Sequence, residues 1–282
     1  MDKQIFDFQD IRLNQHSAAN CDLNLIIGAE GFSWSVTEKG GQYLALRNGH
    51  FVPPGRQFTD VEQDIRTVFG RENLLKWSFQ SVRCALSNAN VTLVPRRLFD
   101  PRQLPAYFKL LLFPSDYHYR YEALPEFDCY LAYAVEETVL RTCEQYFPDA
   151  EITHLAAPLL RRFRSFSQRS DYEMLINIRN QAVQITVFER HNLLYFNTFQ
   201  WEKPADLLYN LLLVYDQFRL NPIEIPLVIA GNLLEDSEIY RLLFRYFRVM
   251  KFAGPNGADR LPVSASDLPA HYFFDLLGLN KD

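Results

Sequence analysis

Most of the devices from which function is read directly are missing from this chain. Glycine is scarce, 11 in 282 residues, and no Ser/Gly/Pro-rich tract occurs, so composition assigns no segment to disorder or to a long linker. No window has the length of an apolar membrane span, and Met1 to Phe8 carry charges where a signal peptide needs an apolar core. Cys21, Cys84, Cys129 and Cys143 lie far apart, form no C-x-x-C pair and stand at no ligand spacing to a histidine. Zinc and dithiol redox motifs are therefore excluded, and a reducing, cytoplasmic location with all thiols free is expected. The histidines form no metal pair at helical spacing, and there is neither a G-x-S-x-G elbow nor a P-loop. No metal site, nucleophile or acid/base pair can be named.

Positive charge is also in short supply. The net charge is −5, and the densest basic stretch, Leu160-Arg161-Arg162-Phe163-Arg164, reads as the solvated face of one helix. Nucleic acid is not expected as a partner. Glu136 and Glu137 are adjacent, so they point in different directions from a helix and read as a solvated first turn that complements the dipole.

Apolar side chains are plentiful: 48% of the chain is hydrophobic and 15% aromatic, enough at this length for two cores. Leu23 to Ile27, Phe32 to Val36 and Gln42 to Leu46, separated by Gly28-Ala29-Glu30-Gly31 and Gly40-Gly41, predict a three-stranded meander. Thr59-Asp60-Val61-Glu62 has capping-box spacing and predicts a helix ending at Gly70. Strands are expected at 79–86, 91–94, 117–121, 128–135 and 151–154, and helices from Asp100-Pro101 to Phe113, over 136–146 and over 158–166.

The pattern then repeats. Met174 to Ile178, Val183 to Val187 and Leu193 to Phe199 predict a second meander, in which Ile178, Val183, Ile185 and Val187 each follow Ile27, Phe32, Trp34 and Val36 by the same 151 positions. A helix over 205–219, a buried strand from Pro226 to Ala230, a helix over 235–247 and a strand over 249–252 complete an α/β layered lobe.

Meander, helix, strand, helix, strand, occurring twice and including Pro226 to Asn232, resembles the actin-like ATPase superfamily of actin, heat-shock ATPase chaperones and sugar kinases. The run Tyr130-Leu131-Ala132-Tyr133-Ala134-Val135, its following helix and Ala150 to His154 look most like the actin-like components of type IV pilus and type II secretion systems, and like an uncharacterised bacterial family. The resemblance implies an α/β, two-lobed, duplicated architecture of the ribonuclease H-like kind. Its first lobe is 1–169, with an insertion near 91–127, and its second is 170–282, with the boundary near Gln168 to Asp171.

The resemblance also implies where a nucleotide would lie: Gly28, Glu30 and Gly31 in the first hairpin, Asn177 and Arg179 in the second, and Gly231-Asn232 at the adenosine turn. In that superfamily an Asp-x-Gly core holds magnesium and water, while amides cradle phosphates. Here Ile26 stands in place of the aspartate and only Gly28 of that core remains. In the second hairpin Asn177 replaces the acidic residue and Arg179 replaces the glycine. Glu30 is either a substitute metal ligand or a solvated turn residue. Asn177 is either a cleft residue or a bonded strand asparagine, Arg179 either binds phosphate or meets solvent, and Gly231 is equally ordinary turn chemistry.

The expected function is that of a catalytically degenerate, actin-like interaction or scaffold protein with a protein partner and no required cofactor. The alternatives are a nucleotide-binding protein or weak ATPase using ATP, and an unrelated small-molecule enzyme. Tyr117 to Tyr121 and His271-Tyr272-Phe273-Phe274 read as partner contacts or as core packing.

Overall fold

A computed structural model describes residues 6–28, 31–49, 61–109, 117–167, 171–256, 259–262 and 268–280. The alternating runs of the first half become β1 (Phe6–Gln9), α1 (Gln15–Ala18), β2 (Cys21–Gly28), β3 (Gly31–Glu38), β4 (Tyr43–Gly49), α2 (Val61–Arg71), β5 (Ser81–Ser87), β6 (Val91–Pro95), β7 (Tyr117–Leu124), β8 (Cys129–Glu136), α3 (Glu137–Tyr146), β9 (Glu151–His154) and α4 (Ala156–Phe166). The second half supplies β10 (Glu173–Arg179), β11 (Ala182–Glu189), β12 (Asn192–Gln200), α5 (Pro204–Gln217), β13 (Leu227–Gly231), α6 (Glu238–Leu243), β14 (Met250–Phe252) and α7 (Phe274–Leu277), the last preceded by a 3₁₀ turn over Ala270–Phe273.

These strands form a six-stranded sheet in the order β1-β4-β3-β2-β5-β9 and a five-stranded sheet in the order β12-β11-β10-β13-β14. From β4 and β12 inward the two orders are the same. The registers agree as well: Ile27 pairs with Phe32 and Ile178 with Val183 across antiparallel neighbours, while β5 and β13 run parallel on the other edge. Parallel neighbours require crossovers, which the intervening segments provide. The segment expected as an insertion contributes, with β8, a separate three-stranded sheet in the order β6-β8-β7.

Side-chain alternation sorts each central strand between two layers. In β2, Leu23, Leu25 and Ile27 pack with Ile65 and Phe69 of α2 and with Leu140 of α3. Asn24 and Ile26 face the opposite way, and Ile26 lies in a cluster with Tyr43, Phe273 and Leu276. In β10, Met174, Ile176 and Ile178 pack with Leu207 and Leu211 of α5 and Leu243 of α6, and Leu175 turns toward Leu159, Phe163 and Phe274. Helix α4 and the C-terminal segment thus lie between the inner faces of the two sheets, so the last part of the chain is shared core.

Several elements differ from expectation. Strand β1 pairs with β4 and extends the first meander to a fourth strand. Helix α2 continues through Gly70 to Arg71, so Gly70 is not a left-handed cap; Thr59 and Asp60 lie outside the described residues. The helix expected to reach Phe113 is a 3₁₀ segment, Pro101–Phe108, with Asp100 capping its start and Pro105 inside it, where the missing amide disfavours regular α geometry. Helix α6 begins at Glu238 because the Ser237 hydroxyl accepts from the Tyr240 amide, and it ends at Leu243. His271 to Phe274 are buried, which assigns that aromatic run to core packing. Arg162 is buried too, unlike a solvated helix face.

Candidate functional site

The inner ends of β2, β3, β4, β10 and β13 bring most of the sequence-nominated positions to one place between the sheets. Gly28 and Gly31 pair across the first hairpin, as Arg179 and Ala182 do across the second. The turn residue Glu30 lies outside the described residues.

Arg179 crosses from β10 toward the first half. Its Nη1 donates to Asp275 Oδ2 of α7 at 2.5 Å and its Nη2 donates to Ser33 Oγ of β3 at 3.3 Å. Ser33 Oγ donates to Asn48 Oδ1 of β4 at 3.0 Å, and Asn48 Nδ2 donates to Asn232 Oδ1 at 2.7 Å. The chain of bonds therefore leaves the second half at Arg179, passes through two side chains of the first half and returns at Asn232. Every member is buried, where low dielectric strengthens satisfied bonds and penalises broken ones.

Asp275 neutralises this arginine and is itself well served. Oδ2 also receives Asn177 Nδ2 at 3.4 Å, and Oδ1 receives the Leu276 amide at 2.8 Å. Asn177 donates to Gln184 Oε1 at 3.0 Å as well. Asn177 Oδ1 and Arg179 Nε are buried without a hydrogen-bond partner among the described residues.

Gly231 completes the arrangement. Its φ is +83°, and a Cβ there would collide with the backbone of Ile178 and meet Asn177 Oδ1. Only glycine fits both conditions. The Asn232 amide then donates to Ile178 O at 2.7 Å, placing the Asn232 side chain opposite Asn48. Sequence reasoning found Arg179, Asn177, Gly231 and Asn232. It missed Ser33, Asn48 and above all Asp275, which lies 96 positions from Arg179 and carries no local signature.

The described residues depart from the magnesium-triphosphate pattern that the superfamily resemblance implies. Ile26, where a metal-fixing carboxylate would stand, is fully buried among apolar side chains. Arg179 is committed to Asp275 and Ser33 rather than open to phosphate. On the α3 side of the first sheet a cavity of about 20 Å³ lies beside Gly28, room for one water. One lining group went unanticipated: Glu136, half-buried at the head of α3, accepts a hydrogen bond from the Tyr117 hydroxyl at 3.1 Å.

Two buried histidines brace the surroundings. His154 Nδ1 accepts from the Ala156 amide, which leaves Nε2 as the donor to Asn88 O at 3.2 Å. Burial pulls its pKa down to about 4, so it stays neutral and acts as a tie between β9, α4 and the loop after β5. His271 Nε2 donates to Leu233 O at 2.8 Å, and burial lowers its pKa too. Among the described residues there is no cluster of three metal-ligating side chains, and no helix is long and apolar enough to cross a membrane.

Comparison with known proteins agrees with this architecture. A Bacteroides thetaiotaomicron protein with actin-like ATPase fold and unknown function superposes with a TM-score of 0.77 at 18% identity, over 95% of this chain and 99% of that one. PilM, in the PilM–PilN type IV pilus biogenesis complex, superposes with a TM-score of 0.63 at 14% identity, over 92% and 97%. At these identities the likeness establishes the fold: this is an actin-like ATPase fold. No curated protein matches the chain by sequence. The family model that matches residues 10–250 shows that the chain belongs to the family described as protein of unknown function (DUF3822).

Proposed function

We propose that this protein is a non-enzymatic interaction or scaffold protein, in which an actin-like fold is held closed by its own side chains instead of by nucleotide. One observation carries the reading: the bonds Asp275–Arg179–Ser33–Asn48–Asn232 occupy the ground between the two hairpins. A buried ion pair is stable only when both partners are present and well bonded, and here the paired Arg179 also reaches Ser33 of the first half. Opening the cleft to admit a triphosphate would break the bonds that join the halves, Arg179–Ser33 and Asn48–Asn232.

A partner-binding role is supported by the fold itself, since PilM shares it and is found in a complex with PilN. The partner of this chain is taken to be a protein. The cysteines support a reducing, cytoplasmic setting: all four are free and buried, and burial raises the thiol pKa of Cys143 to about 12, which suppresses the reactive thiolate.

A nucleotide-binding protein is the second reading, and Glu136 beside Gly28 favours it, because a half-buried carboxylate next to a glycine hairpin is chemically suited to a metal. Calorimetric titration of ATP with and without magnesium, beside a steady-state phosphate-release assay, separates the two. The scaffold reading expects no magnesium-dependent binding and no turnover above background. Tight, metal-dependent binding with turnover, lost in Glu136→Gln or Glu30→Ala, would replace it with the ATPase.

A further inference from the structure

On the side of the shared core away from the hairpins, α4, the C-terminal segment and the ends of β5 and β9 enclose a pocket of about 800 Å³. Four arginines line it: Arg83, Arg161, Arg162 and Arg260. Two already hold carboxylates, although the Nε of Arg162 is buried without a partner among the described residues. Arg161 donates to Glu122 and Glu126 at 2.9 and 2.7 Å, and Arg162 clasps Asp259 through both terminal nitrogens.

The other two have donors to spare. Arg83 Nη1 donates to Leu279 O at 3.1 Å, but its Nε is buried and makes no hydrogen bond, with Glu151 standing 3.5 Å away in poor alignment. Arg260 has no carboxylate partner among the described residues. Its backbone is fixed nonetheless, since the Tyr43 amide donates to Arg260 O at 3.2 Å. Its guanidinium lies along the Gly40 turn, where φ is +100° and a Cβ would stand 3.9 Å from Nη1. The glycines leave that flank of the pocket open.

We propose that this pocket binds a small organic anion, carried as a carboxylate or phosphate monoester, with Arg83 and Arg260 as its receptors. A guanidinium fork matches the planar or tetrahedral oxyanion through paired N–H donors. The volume suits a molecule of metabolite size. Glu122, Glu151 and Asp259 line the same pocket, so a polyphosphate would meet like charge and a ligand with one or two negative charges is selected. Bound there, the anion would touch the first sheet through Arg83 and the C-terminal segment beside Arg260, stabilising their junction. This site is separate from the hairpin cleft and independent of the scaffold reading.

Thermal denaturation and titration calorimetry with inorganic phosphate and with succinate, at constant ionic strength set by chloride, test the proposal. A saturable rise in the unfolding midpoint with either anion is expected. Response to phosphate alone assigns a phosphoryl ligand, and response to succinate alone assigns a carboxylate. Arg260→Gln and Arg83→Gln should each weaken binding at least tenfold, while Arg102→Gln, on the exposed surface, leaves it unchanged. No saturable response beyond chloride, or an undiminished response in Arg260→Gln, would overturn it. An ATP response that persists in Arg260→Gln would contradict the closed cleft without touching the anion site, so the two claims fail separately.

Discussion

The two hairpins share a register and differ in chemistry. Ile26 and Asn177 hold equivalent positions one residue before Ile27 and Ile178, and their cross-strand partners are Ser33 and Gln184. Yet Ile26 is sealed in an apolar cluster, while Asn177 bonds to Gln184 and Asp275. The neighbouring parallel strands differ in the same way: opposite Ile27 stands Leu86, a core side chain, and opposite Ile178 stands Gly231. The comparison teaches that sterics and alternation enforce the same hydrogen-bonded frame in both halves while leaving the inward-facing side chains free to differ. The second half has become polar and reaches across; the first half receives it.

The sharpest way to break this asymmetry is to remove the charge that the second half depends on. Asp275→Ala strands Arg179 in the interior and is expected to cost about 3–5 kcal/mol in urea unfolding. Replacing both partners, Arg179→Met with Asp275→Leu, should recover most of that loss, because desolvation is then no longer resisted. A double variant as unstable as Asp275→Ala would show that the pair is not what matters there.

Gly231→Ala comes next. The residue combines positive φ with a blocked Cβ, and strain plus collision should destabilise the fold by more than about 2 kcal/mol. An alanine at Gly70, in the last turn of α2 and in open space, should instead stabilise slightly, by at most about 0.5–1 kcal/mol.

Acid should act on the first half through His154. Its folded pKa, about 4, lies below the ordinary histidine value of 6.5, so the unfolded chain takes up a proton first as pH falls. Stability is therefore unaffected by this group above about pH 6.5, falls between 6.5 and 4 by up to roughly 3 kcal/mol, and levels below that. Urea midpoints across that window should show the slope, and His154→Gln should flatten it; an unchanged slope would assign the acid sensitivity elsewhere.

A smaller effect is expected from the amide link. Asn48→Ala should cost about 1–2 kcal/mol, with Asn232→Ala nearly additive only if the two do not interact; a double-mutant cycle should return a coupling of about 0.5–1.5 kcal/mol. Zero coupling would leave the Arg179–Ser33 bond to join the halves at this site.

Much of this was legible in the sequence, for identifiable reasons. Both meanders, the crossovers and the constant offset follow from alternation and punctuation, which act locally. The burial of Ile26 was legible because it is an apolar side chain within an apolar strand. The partner of Arg179 was not, because Asp275 sits in a short C-terminal helix whose aromatic flanks, Phe273 and Phe274, read equally as contact surface or core. Nor was the burial of Arg162, since Asp259 reaches it from a loop of no regular pattern. Pairings of that range are settled by tertiary packing alone.

The most direct test of the central claim, that side chains and not nucleotide hold the two halves together, is differential scanning calorimetry with and without magnesium and ATP. The account predicts one cooperative transition whose midpoint is unmoved by millimolar nucleotide and shifts downward as a unit in Asp275→Ala. A midpoint raised by magnesium-ATP, as linkage requires of any ligand that binds the native state, at about 2.7 kcal/mol for a hundredfold excess over Kd, would contradict it.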